Sequence, residues 1–225
     1  MFLHREEAGR ILARQLARYR DDPQALILAL PRGGVAVGYS VSLMLHLPLD
    51  VFITRKLGAP GNPEFAIGAL AETGMVYFNP QAGDIVSTLR EKSDDLNFII
   101  HEQRLEIARR QSLYRAGHAL PDLTHRTVLL VDDGIATGST FFATVEGLRQ
   151  SGLRELVAAI PVGPPETLHQ LRQMVDDLVV VEIPDPFLAV GNHYVDFTQV
   201  TDEQVVHYLR LAEEALHRRH GHAHA

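Results

Sequence analysis

Thr127–Thr140 reads T-V-L-L-V-D-D-G-I-A-T-G-S-T. Thr127 to Val131 is a short apolar run with β-branched residues, the pattern of a strand buried in a parallel sheet. Two carboxylates, Asp132 and Asp133, stand directly at its carboxyl end. A small, hydroxylic turn from Gly134 to Thr140 follows and leads into a helix over Phe141 to Gln150. A strand, a glycine-bearing turn and a helix start make an anion site, because unpaired backbone N–H groups and the positive end of the helix dipole converge there. The hydroxyls of Thr137, Ser139 and Thr140 add donors. Carboxylates would repel a phosphate, so they must face another part of the ligand, and a sugar diol donates hydrogen bonds that carboxylates accept. The stretch therefore asks for a sugar phosphate, with its phosphate on the turn and its diol on the acids.

V-D-D-G-I-A-T-G-S-T resembles the phosphoribosyl-pyrophosphate (PRPP) motif of type I phosphoribosyltransferases. The resemblance implies a PRPP site at Asp132, Asp133, Gly134, Ala136, Thr137, Gly138, Ser139 and Thr140, with Ile135 beside the acceptor base. It also implies an α/β fold, a doubly wound and mostly parallel sheet with a small hood. The rest of the chain supplies the alternation such a sheet needs. Strands are predicted at Ala25–Leu30, Leu49–Thr54, Leu156–Val162 and Leu178–Ile183, and helices at Arg5–Tyr19, Val35–Leu45 and Glu166–Val175. The reading gives one domain over residues 1–217, an inserted helical segment near 85–115, a hood near 184–200 and a disordered His-rich tail over 218–225.

Pro31-Arg32-Gly33-Gly34 is a second strand-to-helix glycine turn, again an anion-binding arrangement. In the resembled family a loop at this place holds the pyrophosphate, which assigns Arg32, Gly33 and Gly34 to PRPP. Arg55-Lys56 is expected at the carboxyl end of a parallel strand, the edge where such sheets bind ligands, and several family members carry R-K near the pyrophosphate. Gly58 to Pro63 is rich in turn formers and reads as a mobile loop, and Ala66–Ala71 with Met75–Phe78 as a hairpin. In the family a flexible loop here closes over the substrates. Ile183–Phe197, I-P-D-P-F-L-A-V-G-N-H-Y-V-D-F, is similar to a segment of hypoxanthine-guanine phosphoribosyltransferases. That likeness makes Phe187 the ring that stacks on the base and Asp196 an acid near the metal, although the segment is a couple of residues longer here.

Composition narrows the class. The 225 residues are 46% hydrophobic, contain no cysteine and carry a formal net charge of −7. A thiolate nucleophile and a disulfide scaffold are excluded, and the acidic balance argues against a general nucleic-acid binder. No long uncharged apolar run suggests a membrane span, so a cytoplasmic protein is the default expectation. The polar helical segment has a thin apolar seam that fits either the domain or a second subunit, which leaves a homodimer open.

The reaction the resemblance implies is displacement of pyrophosphate from the ribose C1 by a nitrogen base, with Mg²⁺ as the cofactor. Lys56, Arg32 and the loop N–H groups would stabilise the leaving group. Magnesium binds mainly through substrate oxygens and water, with Asp132, Asp133 and Asp196 as the neighbouring acids and no protein cage. Hypoxanthine-guanine enzymes carry an acid where this chain has Ala136, whereas adenine enzymes have alanine. The acceptor base is thus left open, and Glu64 or Glu72 is the candidate for its proton. Two other readings share the cradle: a PRPP-binding regulator without turnover, and a sugar-phosphate hydrolase.

Overall fold

The structure, a computed structural model, describes residues 1–91 and 93–222, without the side chains of 63, 64, 81, 91, 93, 94 and 220–222. In chain order the elements are α1 (Arg5–Gln15), β1 (Ala25–Ala29), α2 (Gly33–Leu45), β2 (Leu49–Val51), β3 (Thr54–Ala59), β4 (Asn62–Ala71), β5 (Val76–Phe78), α3 (Gly83–Glu91), α4 (Ser93–Arg115), β6 (Thr127–Val131), α5 (Ser139–Arg149), β7 (Glu155–Val162), α6 (Pro165–Arg172), β8 (Asp177–Glu182) and α7 (Asp202–His222). Where the sequence suggests one domain, the chain divides into two compact units. Met1–Val51, Leu120–Ala136 and the chain from Gly152 form the first; Phe52–Ala119 and Thr137–Ser151 form the second.

The first unit is built on a five-stranded parallel sheet of order β2-β1-β6-β7-β8, the doubly wound arrangement expected. Every residue of β1 and of β6 is buried, which is why both read as unbroken apolar runs instead of alternating ones. Their register pairs Ala25 with Thr127 and Ala29 with Val131, so the two strands end level. Leu30 N–H then donates to Val131 C=O at 2.9 Å, and the loops that follow start side by side. Helix α1 begins on His4, whose ring accepts from Glu7 N–H, and carries Glu6 and Glu7 in its first turn and Arg14 in its last, as the helix dipole favours. Its buried Leu12 and Ala13 join the same core as Val37 and Val41 of α2 and Leu129 of β6, while Ala8 packs in a second cluster with Phe2, Val162 and Tyr194. Each large apolar side chain buried there contributes about 1.5–3 kcal/mol.

The second unit holds an antiparallel sheet of order β3-β4-β5 with α3, α4 and α5. Helix α5 rests on it through Phe142, whose ring lies 5.9 Å from that of Tyr77, and through Thr144, whose hydroxyl meets that of Thr54 at 2.7 Å. Several expectations change in this unit. The apolar run Leu49–Thr54 is not one strand: β2 stops at Val51, and β3 starts at Thr54 in the other sheet. Residues 58–63, expected as a loop, are mostly strand, and the reversal is confined to the turn at Pro60-Gly61, with Gly61 at φ 74°. The predicted insertion is two helices, α3 and α4. In the first unit, α7 extends to His222, into the tail expected to be disordered from 218, so the described part of the His-rich tail is helical; 223–225 lie outside the described residues. No helix among the described residues is long and apolar enough to cross a membrane.

Candidate active site

In the first unit the chain moves outward from β1 to β2 on one side and from β6 to β7 and β8 on the other. The strand order therefore reverses between β1 and β6, and the carboxyl ends of strands at such a point are where open parallel sheets take ligands. The two loops leaving this point are Pro31–Gly34 and Asp132–Ala136, the two stretches that the sequence singles out.

They interlock through glycine. A Cβ on Gly33 would sit 1.9 Å from Asp133 Oδ2, and one on Gly34 would sit 2.9 Å from both Asp132 Cα and Val131 O. Neither glycine has positive φ, so the requirement is close approach and not backbone freedom. Each acid packs on one glycine of the facing loop. Arg32 leads into α2, after a cis Pro31–Arg32 bond. Its Nη1 lies 3.7 Å from Asp202 Oδ1 in the first turn of α7. The cation that the sequence assigns to a pyrophosphate is thus paired with a carboxylate here.

Asp133 is the most heavily held residue of the site. Arg5 Nε donates to its Oδ2 at 2.7 Å, and the Tyr194 hydroxyl donates to its backbone C=O at 2.6 Å. Its own N–H donates to Asp132 Oδ1 at 2.8 Å. Burial, and then the neighbouring Asp133 charge, raise the Asp132 carboxyl well above the usual carboxylate range. Burial also raises Asp133, and Arg5 opposes that rise, so the proton of the pair favours Asp132. Burial raises the Tyr194 phenol as well, which keeps it a hydrogen-bond donor.

A hood from Ile183 to Val200 closes this part of the unit. Residues 2 and 3 run beside it: Phe2 N–H donates to His193 C=O at 2.8 Å, Val195 N–H to Phe2 C=O at 2.8 Å and Asp196 N–H to Leu3 C=O at 2.9 Å. The rings of Phe2, Tyr194 and Phe197 follow one another at 5.3 and 5.1 Å. Phe187, expected to stack on a base, already stacks on His193, with centroids 5.6 Å apart and planes within 6°. Asp196 is occupied in a local turn, its Oδ1 accepting from Thr198 N–H at 2.9 Å and from the Thr198 hydroxyl at 2.6 Å. Among the described residues no three His, Cys, Asp or Glu side chains come together as a metal site. Asp196 therefore does not join Asp132 and Asp133 as the third ligand of one cluster.

Past the acids, Ile135 N–H donates to Val162 C=O at 2.9 Å and the Thr167 hydroxyl to Ala136 C=O at 2.7 Å. Ile135 is 3% exposed, packed into the core and not presented to a base. The chain enters the second unit at Thr137. Gly138 takes a left-handed φ of 79° and opens α5 without a side-chain cap, and Phe142 N–H bonds its carbonyl at 2.8 Å. The first-turn N–H groups of α5 have no carbonyl partner within the helix.

Other residues of the second unit depart from their expected roles. Arg55 and Lys56 lie within β3, not at the end of a parallel strand. Adjacent strand residues point to opposite faces: Arg55 Nε bonds Gln103 on α4 at 3.0 Å, while Lys56 shares the face of Thr54, which meets α5. Burial, and then the charge of Arg110, lower the Arg55 guanidinium pKa. Glu72 is corrected as a proton acceptor. Both of its oxygens bond Arg115 at 2.7 Å, and it also accepts from Ile53 N–H and from Gln111 at 2.8 Å. With side chains 3% and 5% exposed, Glu72 and Arg115 form a buried structural tie between the end of β4 and α4. Glu64 lies on β4, and its side chain is outside the described residues. Arg5 is the residue that sequence reading misses: no local pattern marks it, and its partner lies 128 positions away.

The chain matches the family model described as "Phosphoribosyl transferase domain" over residues 3–190. It belongs to that family. Two Mycobacterium tuberculosis proteins, from strains CDC 1551 / Oshkosh and ATCC 25618 / H37Rv, share 38% identity over 212 residues, and each bears the name "Putative phosphoribosyl transferase". The match takes in 94% of this chain and 47% of each relative, so the phosphoribosyl transferase chain spans about half the length of these relatives. The crystal structure of TT1426 from Thermus thermophilus is similar throughout, with 39% identity, a TM-score of 0.76 and coverage of 92% of this chain and 97% of that one.

Proposed function

We propose that this phosphoribosyl transferase domain moves the 5-phosphoribosyl group from PRPP to a nitrogen-base acceptor and releases pyrophosphate, with Mg²⁺ as its cofactor. The observation that carries the reading is the half-buried acidic pair at the strand reversal, each carboxylate seated on a glycine of the loop after β1. Two adjacent carboxyl groups, of which burial leaves one the preferred holder of the proton, suit a diol. The ribose hydroxyls donate to them, and removal of water strengthens those bonds. The turn Ala136–Thr140 is assigned to the 5′-phosphate through its N–H groups and hydroxyls. Gly33 and Gly34 are assigned to the pyrophosphate through the first turn of α2.

In the transfer, the acceptor nitrogen forms a bond to C1 as the C1–O bond to pyrophosphate breaks, the bonding pair leaves with the pyrophosphate, and the proton of the acceptor N–H passes to the leaving pyrophosphate or to water. Negative charge grows on the leaving oxygens, so fixed donors aimed there lower the barrier. Arg32 must then exchange its 3.7 Å contact with Asp202 for the leaving group. Lys56 is proposed as the second cation; Arg55, bonded to α4, is not. Asp132 and Asp133 fit a cation held chiefly by substrate oxygens and water, as Mg²⁺ is, and such a cation neutralises pyrophosphate charge. The test is direct: pyrophosphate release is followed with PRPP, Mg²⁺ and a panel of purines, pyrimidines and other nitrogen acceptors. Base-dependent release that disappears in Asp133→Asn supports the proposal, and no release with any acceptor refutes it.

A further inference from the structure

We propose that Arg5 is a positioning residue that sets the Asp133 carboxylate for one ribose hydroxyl and links it to the hood; this rests on the diol reading above. Arg5 is 8% exposed, and a cation so buried is tolerated only where its donors are matched. They are matched on three sides. Nε bonds Asp133 Oδ2 at 2.7 Å, Nη1 bonds Thr198 C=O at 2.8 Å, and the guanidinium lies 3.9 Å over the Phe197 ring. A planar fork held at two edges and one face has little freedom to rotate.

Asp133 inherits that rigidity. Its Oδ2 is pressed toward the Cα of Gly33 on one side and bonded to Arg5 on the other, while Tyr194 holds its backbone carbonyl. A lone carboxylate at a loop would swing about its own torsions; this one has its plane set by α1. The other contacts of Arg5, Phe197 and Thr198, belong to the hood. A shift of the hood would therefore move the guanidinium, and with it the acid that receives the sugar. Arg5 need not touch the ligand to act. Its effect is on which hydroxyl pattern the pair accepts.

The test is a selectivity measurement, because loss of a merely structural tie would weaken every ligand alike. Calorimetry compares ribose 5-phosphate with its 2-deoxy and 3-deoxy analogues on the wild type, Arg5→Ala and Arg5→Lys. The wild type should prefer ribose 5-phosphate over one deoxy analogue by roughly tenfold or more, the scale of one hydrogen bond to a charged group. In Arg5→Ala that preference should fall to within about twofold, through weaker ribose 5-phosphate binding alone, the deoxy analogue binding as before. Arg5→Lys keeps the charge without the fork, serves as the test should the alanine variant not fold, and should show an intermediate preference. Equal weakening of all three ligands, or an unchanged preference, overturns the inference. A wild type that does not discriminate among the three sugars refutes the diol reading itself, a failure visible before any variant is made.

Discussion

Replacing Gly33 with alanine should disable PRPP binding while leaving the fold standing. The added Cβ would lie 1.9 Å from Asp133 Oδ2 and 2.6 Å from its Cγ, where ordinary contact begins at 3.4 Å. The difference, 3.4 − 1.9, means Oδ2 must withdraw by about 1.5 Å, since contact at that range is repulsive. That displacement breaks the 2.7 Å bond from Arg5, and misplacing a group by about 1 Å can cost on the order of 10²-fold. The backbone does not object, because Gly33 has no positive φ. Alanine returns about 1 kcal/mol of helix propensity against about 1.5–3 kcal/mol for a charge-assisted bond, so the net loss of stability is about 0.5–2 kcal/mol. Gly34→Ala is the contrasting case: its Cβ meets the backbone at Asp132 Cα and Val131 O, both 2.9 Å away. Backbone cannot rotate aside, so overpacking should cost about 1–3 kcal/mol. Calorimetric titration with PRPP and Mg²⁺, beside thermal unfolding, reads both quantities. Gly33→Ala binding PRPP within threefold of wild type would refute the interlock of loop and acid.

Four further outcomes are open to measurement. Asp133→Asn should lower PRPP affinity by roughly tenfold or more, the scale of a hydrogen bond to a charged acceptor, whereas Asp132→Asn, which replaces the carboxyl that favours the proton, should lower it less, as read by the same titration. Glu72→Ala strands the buried Arg115 guanidinium and should destabilise the second unit by about 3–5 kcal/mol, whereas Glu72→Leu with Arg115→Met should recover only part of that loss, because Ile53 N–H loses its acceptor; urea unfolding separates the two. Lys56→Ala should raise the KM for PRPP in a pyrophosphate-release assay more than Arg55→Ala does, because the two side chains face opposite sides of β3. Hydrogen bonds from Arg109 and then Arg110 depress the Glu106 carboxyl from 4.5 to about 2. Its folded pKa is the lower one, so its stabilisation is full above the unfolded value and is lost as pH falls from about 4.5 to about 2. Helical pairs of this kind contribute about 1 kcal/mol together, so Glu106→Gln should lower stability by that much at pH 7 and by only a small fraction of it near pH 2 in urea titrations.

The parallel sheet was legible because β1 and β6 are buried on both faces and so carry no charged residue to blur their runs. The Asp132-Asp133 pair and the Gly33-Gly34 turn were legible because both loops follow such strands directly. The site's supports were not. Arg5 sits in an ordinary helical first turn between residues of mixed charge, and only the tertiary fold brings Asp133 to it. Glu72 follows a strand end rich in small residues, like many exposed acids, and its burial depends on Arg115 arriving from α4. Arg55-Lys56 misled for another reason. The run from Val51 to Thr54 has no breaker, yet the chain leaves one sheet and enters another within it, so the pair lands mid-strand in a hairpin.

Neither unit is a continuous piece of chain, and this bears on how the protein is made. The second unit is spliced into the first twice, after Val51 and again after Ala136. On the ribosome, β1 emerges well before β6, whose Thr127 is the partner of Ala25, and waits for it before its second edge is covered. Closing so long a span is entropically slow, and unpaired strand edges invite association with other chains. The loops that carry the glycines and the acids follow these two strands, so the place where chemistry is assigned takes shape only once β6 has joined β1. A chaperone bound to the emerging chain should hold on until roughly residue 131 has left the exit tunnel, and ribosome profiling of chaperone-bound nascent chains would show that release point.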